Sequence, residues 1–203
     1  MRKLLIATRN KGKQREIDSL LSPLGIKTLS LNDIPPIPDI KEDGLSFIDN
    51  AIKKAQETSK LTGYICLADD SGLVVDALNG RPGIYSARFA GNNATDEANN
   101  QKLLDLMEGI EEKNRTARFV CAIAISHHNG KMVYVEGVCE GKIDTRMRGD
   151  RGFGYDPLFV PDGFEQSFAQ LSNRDKQLIS HRGKALEKAV PLIQGFIMGE
   201  YDD

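Results

Sequence analysis

Two adjacent acidic residues, Asp69 and Asp70, interrupt a hydrophobic stretch that is typical of a buried strand. Ionised carboxylates on neighbouring residues repel each other, and a divalent cation relieves that repulsion. Magnesium prefers oxygen ligands, keeps several waters and takes only one or two protein carboxylates. The pair therefore predicts a Mg²⁺ site at a strand end, with Glu42 from the preceding charged loop as a further ligand. The alternative is that Asp69 caps a turn and Asp70 is solvated.

A polar loop between a short hydrophobic strand and an amphipathic helix predicts a phosphate-binding site. Its residues are Thr8, Arg9, Asn10, Lys11, Gly12 and Lys13. Free backbone N–H groups and the positive end of a helix favour an anion, and Lys13 would be its charge partner. The loop is not a Walker A motif, because the glycine spacing and a Ser or Thr after Gly-Lys are missing. The alternative is an ordinary polar loop between strand and helix.

A second loop combines glycines with aromatic side chains, in the order Gly152, Phe153, Gly154, Tyr155, Asp156, Pro157. Glycines let a backbone approach a ligand closely, and aromatic rings can stack on a flat ring such as a purine. The alternative is an aromatic turn that serves only packing.

A basic segment near the C-terminus contains Ser180, His181, Arg182 and Gly183, with Lys176 shortly before it. An arginine presents a rigid pair of donors that matches the O6 and N7 acceptors of a 6-oxopurine. Adenine carries an amino donor at that position and would be disfavoured. The alternative is the basic start of a helix.

The elements that must hold these residues alternate between strand and helix early in the chain and then include a hairpin. This order predicts an α/β fold with a mixed sheet. Ser46 and Asp49 resemble a capping box at a helix start, whereas residues 32–44 should lack regular structure. Asn129-Gly130 predicts a type I′ hairpin turn, and Pro191 should kink or split the last helix.

Composition excludes several classes of protein. The length of 203 residues predicts a single domain over residues 1–203 with two lobes, and the hydrophobic fraction of 40% is enough to form a core. A formal charge of -2 predicts no attraction to nucleic acid or to a membrane surface. We see no signal peptide and no apolar run long enough to cross a bilayer, so we expect a cytoplasmic protein. The three cysteines have no metal or redox spacing and should be buried, reduced thiols.

Taken together, the motifs resemble one family, the non-canonical purine nucleoside triphosphate pyrophosphatases, also called inosine triphosphate pyrophosphatases. The resemblance covers nearly the whole chain. Its segments are ATRNKGKQREI, EDGLSFIDNAIKKA, LADDSGLVVDALNGRPGIYSARFAG, GFGYDPLF and ISHRGKAL. The most specific feature is DDSGL followed by PGIYSARFAG. One departure is Arg151, which stands directly before Gly152 where many relatives have a further glycine.

The resemblance implies an elongated mixed sheet with surrounding helices, two lobes that flank a central substrate cleft, and a homodimer. It implies that Thr8 to Lys13 bind phosphates with the help of Lys54, and that Ser71 contacts substrate. It implies that Glu42 and Asp70 bind Mg²⁺ and that Asp70 is also the catalytic base. The positions that match the base-binding residues are Phe153, Gly154, Tyr155, Asp156, Lys176, His181 and Arg182.

The predicted activity is hydrolysis of inosine, deoxyinosine and xanthosine triphosphates to monophosphate and pyrophosphate. Two other interpretations remain at this point. One is a pyrophosphatase of the related Maf-like group, which acts on modified nucleotides, although the Ser-His-Arg segment argues against it. The other is a non-catalytic nucleotide-binding module, against which the acidic residues argue, because carboxylates beside phosphates need a metal ion.

Overall fold

The structure, a computed structural model, describes residues 3–202. Its strands are β1 (Leu4–Ile6), β2 (Thr28–Ser30), β3 (Ile65–Val75), β4 (Thr116–Ser126), β5 (Met132–Ile143) and β6 (Phe159–Pro161). Its α-helices are α1 (Lys11–Leu21), α2 (Phe47–Thr62), α3 (Asp96–Leu106), α4 (Asn173–Ile179) and α5 (His181–Met198).

The strands form one sheet in the order β2-β1-β3-β4-β5-β6. Strand β1 runs parallel to both β2 and β3, whereas β5 and β6 are antiparallel. The predicted mixed α/β sheet with surrounding helices is therefore confirmed. The sequence pattern did not predict β2, which is only three residues long.

Contacts within the chain divide it into two compact units. The first contains the described residues up to Asp70, residues 121–137 and the described residues from Arg182 onward; the second contains residues 71–120 and 138–181. The predicted single domain and the predicted cleft both remain predictions.

The first unit buries the apolar residues of β1, β3 and β4 against helices α1 and α5. Its main cluster includes Leu4, Ile6, Leu67, Ile123 and, from the helices, Ile17, Leu21, Leu186 and Ile193. A smaller cluster, the alanine cluster, joins α2 to β3 and β4, and all of its fully buried members are alanines. They include Ala51, Ala55, Ala68 and Ala122. Alanine side chains let a helix approach a sheet closely, so the polar residues of α2 also come near β3.

The second unit has its own core, in which three aromatic rings pack together. Phe119 lies edge-on to Phe159, with ring centroids 4.7 Å apart, and is stacked on Phe168 at 5.9 Å. Leu73 and Leu103 belong to the same cluster. This core supports the glycine-rich loop that precedes β6.

Local sequence signals determine where helix α2 begins and ends. The Ser46 hydroxyl accepts a hydrogen bond from the Asp49 N–H at 3.1 Å, which confirms Ser46 as the N-cap, one half of the predicted capping box. Gly63 ends the helix with a φ of 73°, a left-handed conformation that glycine adopts without a steric penalty. Residues 32–44 contain no helix or strand, as predicted.

Two local predictions were wrong, and a third was wrong in part. Strand β3 is not broken at Asp69 and Asp70, because both acids are paired within the fold. The turn at Asn129-Gly130 is not type I′: Gly130 has a positive φ of 96°, whereas Asn129 is not among the residues with positive φ. The Gly130 N–H bonds to the His127 carbonyl, which is typical of a type I turn followed by a left-handed glycine. Helix α5 is not split, since it continues through Pro191, whereas the kink at Pro191 stays a prediction.

Among the described residues, none of the helices combines the length and the apolar character that crossing a bilayer requires.

The buried cysteines should resist alkylation. Burial raises the pKa of the Cys66 and Cys121 thiols to about 12. Because the thiolate is the reactive form, we expect iodoacetamide at about pH 8 to label both at least ~100-fold more slowly than in the urea-unfolded chain. Peptide mass spectrometry measures the two rates. Equal labelling of folded and unfolded protein would contradict the buried placement.

Candidate active site

The carboxylate of Asp69 is buried between two cations. Its Oδ2 atom lies 3.1 Å from Lys13 Nζ and 3.0 Å from an Nη atom of Arg182. The Arg182 Nε also donates to Oδ2, at 3.3 Å. The other Nη atom of Arg182 contacts the carboxylate of Glu16. Because a buried charge is stable only when it is paired, these side chains form one linked ionic network.

The network holds Asp69 in its ionised form. Burial by itself raises the pKa of Asp69, but the neighbouring cations, Lys13 foremost, outweigh burial and hold this pKa far below its ordinary value. Burial by itself lowers the pKa of Arg182, but Asp69 and Glu16 together raise it above its ordinary value. Asp69 is therefore a counter-ion for its neighbours and is poorly suited to accept a proton.

Asp70 has different surroundings, although it is the next residue. It is 6% exposed, and the Asn50 Nδ2 donates a hydrogen bond to its Oδ2 at 3.0 Å. Burial raises the pKa of Asp70, and the negative charge of Glu42 adds to that effect, while nearby lysines oppose it. The pKa lies above its ordinary value, so the carboxylate is a better proton acceptor than an exposed one.

The alternation of side chains along β3 explains the difference between the two acids. Successive residues of a strand face opposite sides of a sheet. Leu67, two residues before Asp69, packs in the cluster that contains α1 and α5. Ala68, two residues before Asp70, packs in the alanine cluster with α2. Asp69 therefore faces the cations of α1 and α5, and Asp70 faces α2.

The loop before α1 is closed by the side chain of Asn10. Its Oδ1 accepts hydrogen bonds from the N–H groups of Gly12, at 2.8 Å, and Lys13, at 3.1 Å. The Asn10 N–H donates to the Thr8 hydroxyl at 3.2 Å. The prediction of free N–H groups in this loop is wrong for these three, because the side chains of Asn10 and Thr8 accept hydrogen bonds from them. The loop offers an anion the Lys13 charge and the positive end of the helix.

The two other basic residues of this loop lie at the surface. The guanidinium of Arg9 contacts the carboxylate of Asp39 and donates to the Ile37 carbonyl at 3.3 Å. Arg9 thus links the loop to the proline-rich segment of residues 32–44. Lys11 is exposed. Their contact with phosphate stays a prediction.

Glu42 and Lys54 complete the charged part of the first unit. Lys54 Nζ lies 3.2 Å from Glu42 Oε1 and donates to the Asp69 carbonyl oxygen at 2.6 Å. We refer to Lys13, Glu42, Asn50, Lys54, Asp69, Asp70 and Arg182 as the Asp70 group.

The donor set of the Asp70 group fits magnesium. The charge of Glu42 raises the pKa of Asp70, so the two carboxylates are close enough to repel each other. A divalent cation would relieve this repulsion, and magnesium takes one or two carboxylates from a protein. Within residues 3–202 no set of three or more His, Cys, Asp or Glu side chains is suited to hold a metal ion. Water and phosphate oxygens would therefore complete the coordination.

A second group of predicted site residues surrounds Asp156 in the second unit. Asp156 Oδ2 lies 2.6 Å from Lys176 Nζ and accepts a hydrogen bond from the Phe153 N–H at 2.9 Å. The same ammonium lies 5.1 Å from the centroid of the Phe153 ring. Lys176 and Asp156 are 7% and 3% exposed, so they form a buried pair. We refer to Phe153, Gly154, Tyr155, Asp156, Lys176 and His181 as the Asp156 group.

The two aromatic residues of the glycine-rich loop differ in their surroundings. Tyr155 is 3% exposed, and its hydroxyl donates to the Ser86 carbonyl at 2.8 Å. Phe153 is only half-buried. Phe153 therefore offers the more accessible ring for stacking, whereas Tyr155 packs in the core of its unit.

Helix α3 anchors the same loop through polar contacts that the sequence analysis missed. The Gly154 N–H donates to Asp96 Oδ2 at 2.7 Å, and the Gly154 carbonyl accepts from Asn100 Nδ2 at 2.8 Å. Asn100 is buried. The available signal was that Asn100 shares the apolar face of this helix with Leu103 and Leu104, because a buried amide must have partners.

His181 and Arg182 are adjacent in the sequence, but their side chains have different surroundings. The His181 ring is buried and stacks on Phe119 with centroids 4.6 Å apart. The guanidinium of Arg182 instead belongs to the Asp70 group, where it binds carboxylates. Ser71, which follows Asp70, is half-buried on β3. The predicted substrate contacts of these three residues stay predictions.

Comparison with known proteins places the chain in a family. The protein-family model described as the Ham1 family matches residues 4–192. The chain belongs to the Ham1 family. The resemblance inferred from the motifs is therefore confirmed over nearly the whole chain.

Curated relatives within the Ham1 family cover the same length. The chain is 52% identical over 191 residues to a protein of Desulforamulus reducens named dITP/XTP pyrophosphatase, covering 94% of this chain and 95% of the relative. A relative of that name from an Exiguobacterium species is 48% identical over 197 residues, covering 97% of this chain and 100% of the relative.

A solved Ham1 structure has the same fold. The Ham1 protein from Coxiella burnetii is 41% identical, with a TM-score of 0.86 over 96% of this chain and 99% of that chain.

Gly152 should be essential for the geometry of Asp156. Its φ is 77°, and an added Cβ would lie 2.0 Å from Asp156 Oδ2. We expect Gly152→Ala to lower the free energy of unfolding by about 2–4 kcal/mol, from overpacking together with a left-handed alanine. Urea denaturation measures the change.

Gly163→Ala is the matched control. Gly163 has a similar φ of 81° and nothing within 4 Å of the added Cβ, so this variant has only the backbone penalty. Equal destabilisation by the two substitutions would contradict the contact between residue 152 and Asp156.

Proposed function

We propose that this chain hydrolyses non-canonical purine nucleoside triphosphates, those of inosine, deoxyinosine and xanthosine, to the monophosphate and pyrophosphate. It is a hydrolase acting on acid anhydrides. Membership in the Ham1 family and the names of the curated relatives support this function. Two groups of residues support it chemically: the Asp70 group for the triphosphate and metal, and the Asp156 group for the purine base.

The observation that carries the mechanism is the contrast between Asp69 and Asp70. Asp69 is ionised and held by Lys13 and Arg182, so its carboxylate is already occupied. The Asp70 carboxylate instead accepts a hydrogen bond from a neutral group, the Asn50 amide. Asp70 is therefore the group that accepts a proton from the attacking water, and Asp69 holds the cations in place.

Glu42 and Asp70 would hold magnesium. When bound, Mg²⁺ supplies positive charge that neutralises the triphosphate oxygens. Asp70 is buried and Glu42 is half-buried. Removal of magnesium should abolish turnover, because the two carboxylates and the triphosphate would then repel one another.

Lys13 and Lys54 stabilise the negative charge that develops on the leaving pyrophosphate. Both ammonium groups are held in place before substrate binds, Lys13 by Asp69 at 3.1 Å and Lys54 by the Asp69 carbonyl at 2.6 Å. Preorganised charges need little rearrangement during the reaction, which is why they lower its barrier. Attack by water at the α phosphorus needs no covalent intermediate.

The Asp156 group would recognise the base. The half-buried Phe153 ring suits stacking, and buried polar side chains near it suit hydrogen bonds to a 6-oxopurine. A site built on polar contacts rejects a mismatched base because its own groups are left unpaired. We propose that His181 and Arg182 contribute to this discrimination against adenine.

We further propose that the protein works as a cytoplasmic homodimer and does not bind nucleic acid or membranes. The near balance of 27 basic and 29 acidic residues supports the lack of nucleic-acid binding. The dimer rests on the family resemblance alone, and sedimentation equilibrium tests it directly.

Substrate specificity and the role of Asp70 can be tested together. We expect inosine and xanthosine triphosphates, but not adenosine triphosphate, to yield monophosphate and pyrophosphate only with magnesium, as measured by chromatography. Asp70→Asn should lower kcat by at least ~10²-fold, because it removes the base and a metal ligand. Asp105→Asn, an exposed acid on α3, is the control and should keep full activity.

Other products would overturn parts of this proposal. Diphosphate with inorganic phosphate would mean that the cut lies at the γ phosphorus. Turnover of a methylated or modified nucleotide alone would favour the Maf-like interpretation. Magnesium-independent binding without turnover would favour a nucleotide-binding module.

Phe153 can be tested separately from the chemistry. Stacking of a base on an aromatic ring contributes ~1–3 kcal/mol, so Phe153→Ala should raise KM for inosine triphosphate by about 5-fold or more with a smaller change in kcat. Phe89→Ala is a matched control, because Phe89 is also half-buried and has Lys102 Nζ 4.8 Å from its ring centroid. If Phe153→Ala and Phe89→Ala have similar KM values for inosine triphosphate, the purine base does not stack on Phe153.

A further inference from the structure

The buried side chain of Asn50 connects two segments that the proposed chemistry needs. Asn50 is 1% exposed. Its Oδ1 accepts a hydrogen bond from the Gly44 N–H at 2.8 Å, and its Nδ2 donates to Asp70 Oδ2 at 3.0 Å. A backbone N–H can only donate and a carboxylate can only accept, so the amide has one possible orientation.

Asn50 is itself held rigidly. It lies in the first turns of α2, and its N–H donates to the Ser46 carbonyl at 3.2 Å. The residue that follows it, Ala51, is fully buried in the alanine cluster with Ala68 of β3. The carboxamide is therefore presented from a packed helix, which is a more exact support than a loop.

Glu42 most needs such support. It stands two residues before Gly44 in a segment without helix or strand. The segment approaches α2 so closely that a Cβ on Gly44 would lie 2.7 Å from Asp49 Cβ and 2.8 Å from Asn50 Oδ1. A second contact joins the segment to α2, since Lys53 Nζ lies 2.6 Å from Asp43 Oδ1. The backbone of residues 42–44, which we call the Glu42 segment, is thus held against α2 through Asn50.

We propose that Asn50 is a positioning residue that sets the relative placement of the Glu42 segment and the Asp70 carboxylate, so that both can bind one divalent cation. This inference rests on the proposed function, which assigns those two acids to the metal. Asn50 itself would not bind the cation. It orients the ligands, as hydrogen-bond partners of metal-binding carboxylates do.

The chemistry of an amide explains why this position suits asparagine. A lysine or arginine would bind Asp70 more strongly but would neutralise it and compete with the cation. An aspartate could accept from Gly44 but would repel Asp70. The amide donates to one partner and accepts from the other without adding charge.

The test measures binding of Mn²⁺ alone, by electron paramagnetic resonance, to protein without nucleotide. Asn50→Ala removes both hydrogen bonds. Gly44→Ala pushes the Glu42 segment away from Asn50 and leaves Asp70 untouched. We expect each variant to weaken Mn²⁺ binding by about tenfold or more, the effect typical of lost partners of metal ligands. Magnesium dependence of turnover should shift in the same direction.

Asn99→Ala is the matched control. Asn99 is 2% exposed and bridges two backbone groups in the same way, accepting from Ala90 N–H at 2.8 Å and donating to the Ala87 carbonyl at 3.3 Å. It lies in the other unit and outside both groups of site residues. We expect a similar loss of Tm in Asn50→Ala and Asn99→Ala, but unchanged Mn²⁺ binding in Asn99→Ala.

The outcomes separate this inference from the proposed function. If Asp70→Asn loses Mn²⁺ binding while folded Asn50→Ala and Gly44→Ala keep it, Asn50 is only structural and the metal site stands. If Asp70→Asn keeps Mn²⁺ binding, the metal assignment fails and the role of Asn50 fails with it. If Asn50→Ala does not fold, Mn²⁺ binding by Gly44→Ala decides between the two roles of Asn50. The Gly44 substitution lies in a segment without helix or strand, so we expect that variant to fold.

Discussion

The constraint on which the first unit depends is the burial of the Asp69 charge. A carboxylate with no exposed surface is stable only if cations are brought to it. Lys13 comes from α1 and Arg182 from α5, so one residue of β3 joins two helices to the sheet. Glu16 extends the pairing to the other side of Arg182. The same interactions that stabilise the fold therefore hold Lys13 in a fixed position.

The placement of Asp70 follows from that of Asp69. Because neighbouring residues of a strand face opposite sides, the ionic network on one side leaves Asp70 to α2 on the other. There it meets the neutral Asn50 amide and the charge of Glu42, and burial raises its pKa. The pKa values of two identical side chains are thus shifted in opposite directions, downward for Asp69 and upward for Asp70.

The second unit also contains a buried carboxylate, that of Asp156, and a different set of contacts stabilises it. Asp156 is buried with Lys176 and also binds the backbone of the glycine-rich loop. Asp96 and Asn100 hold the same loop from α3. Gly152 is required because any side chain would meet the Asp156 carboxylate. The loop is therefore rigid around Phe153, which is the condition for stacking a flat ligand with little loss of entropy.

The sequence by itself determined the α/β class, the helix cap at Ser46 and the irregular segment before α2, because hydrophobic period and capping are local properties. Its motifs were also specific enough to indicate the family. They could not show that β3 continues through two acids, because that depends on distant cations.

Only the tertiary structure decided which partners the charged residues take. The guanidinium of Arg182 binds Asp69, a residue 113 positions earlier in the chain, and no motif indicated that contact. Asn50 carried no motif of its own, and its role emerged only when Gly44 and Asp70 were found on either side of its amide. Burial and pairing of polar groups are cooperative, long-range effects, and no local pattern contains them.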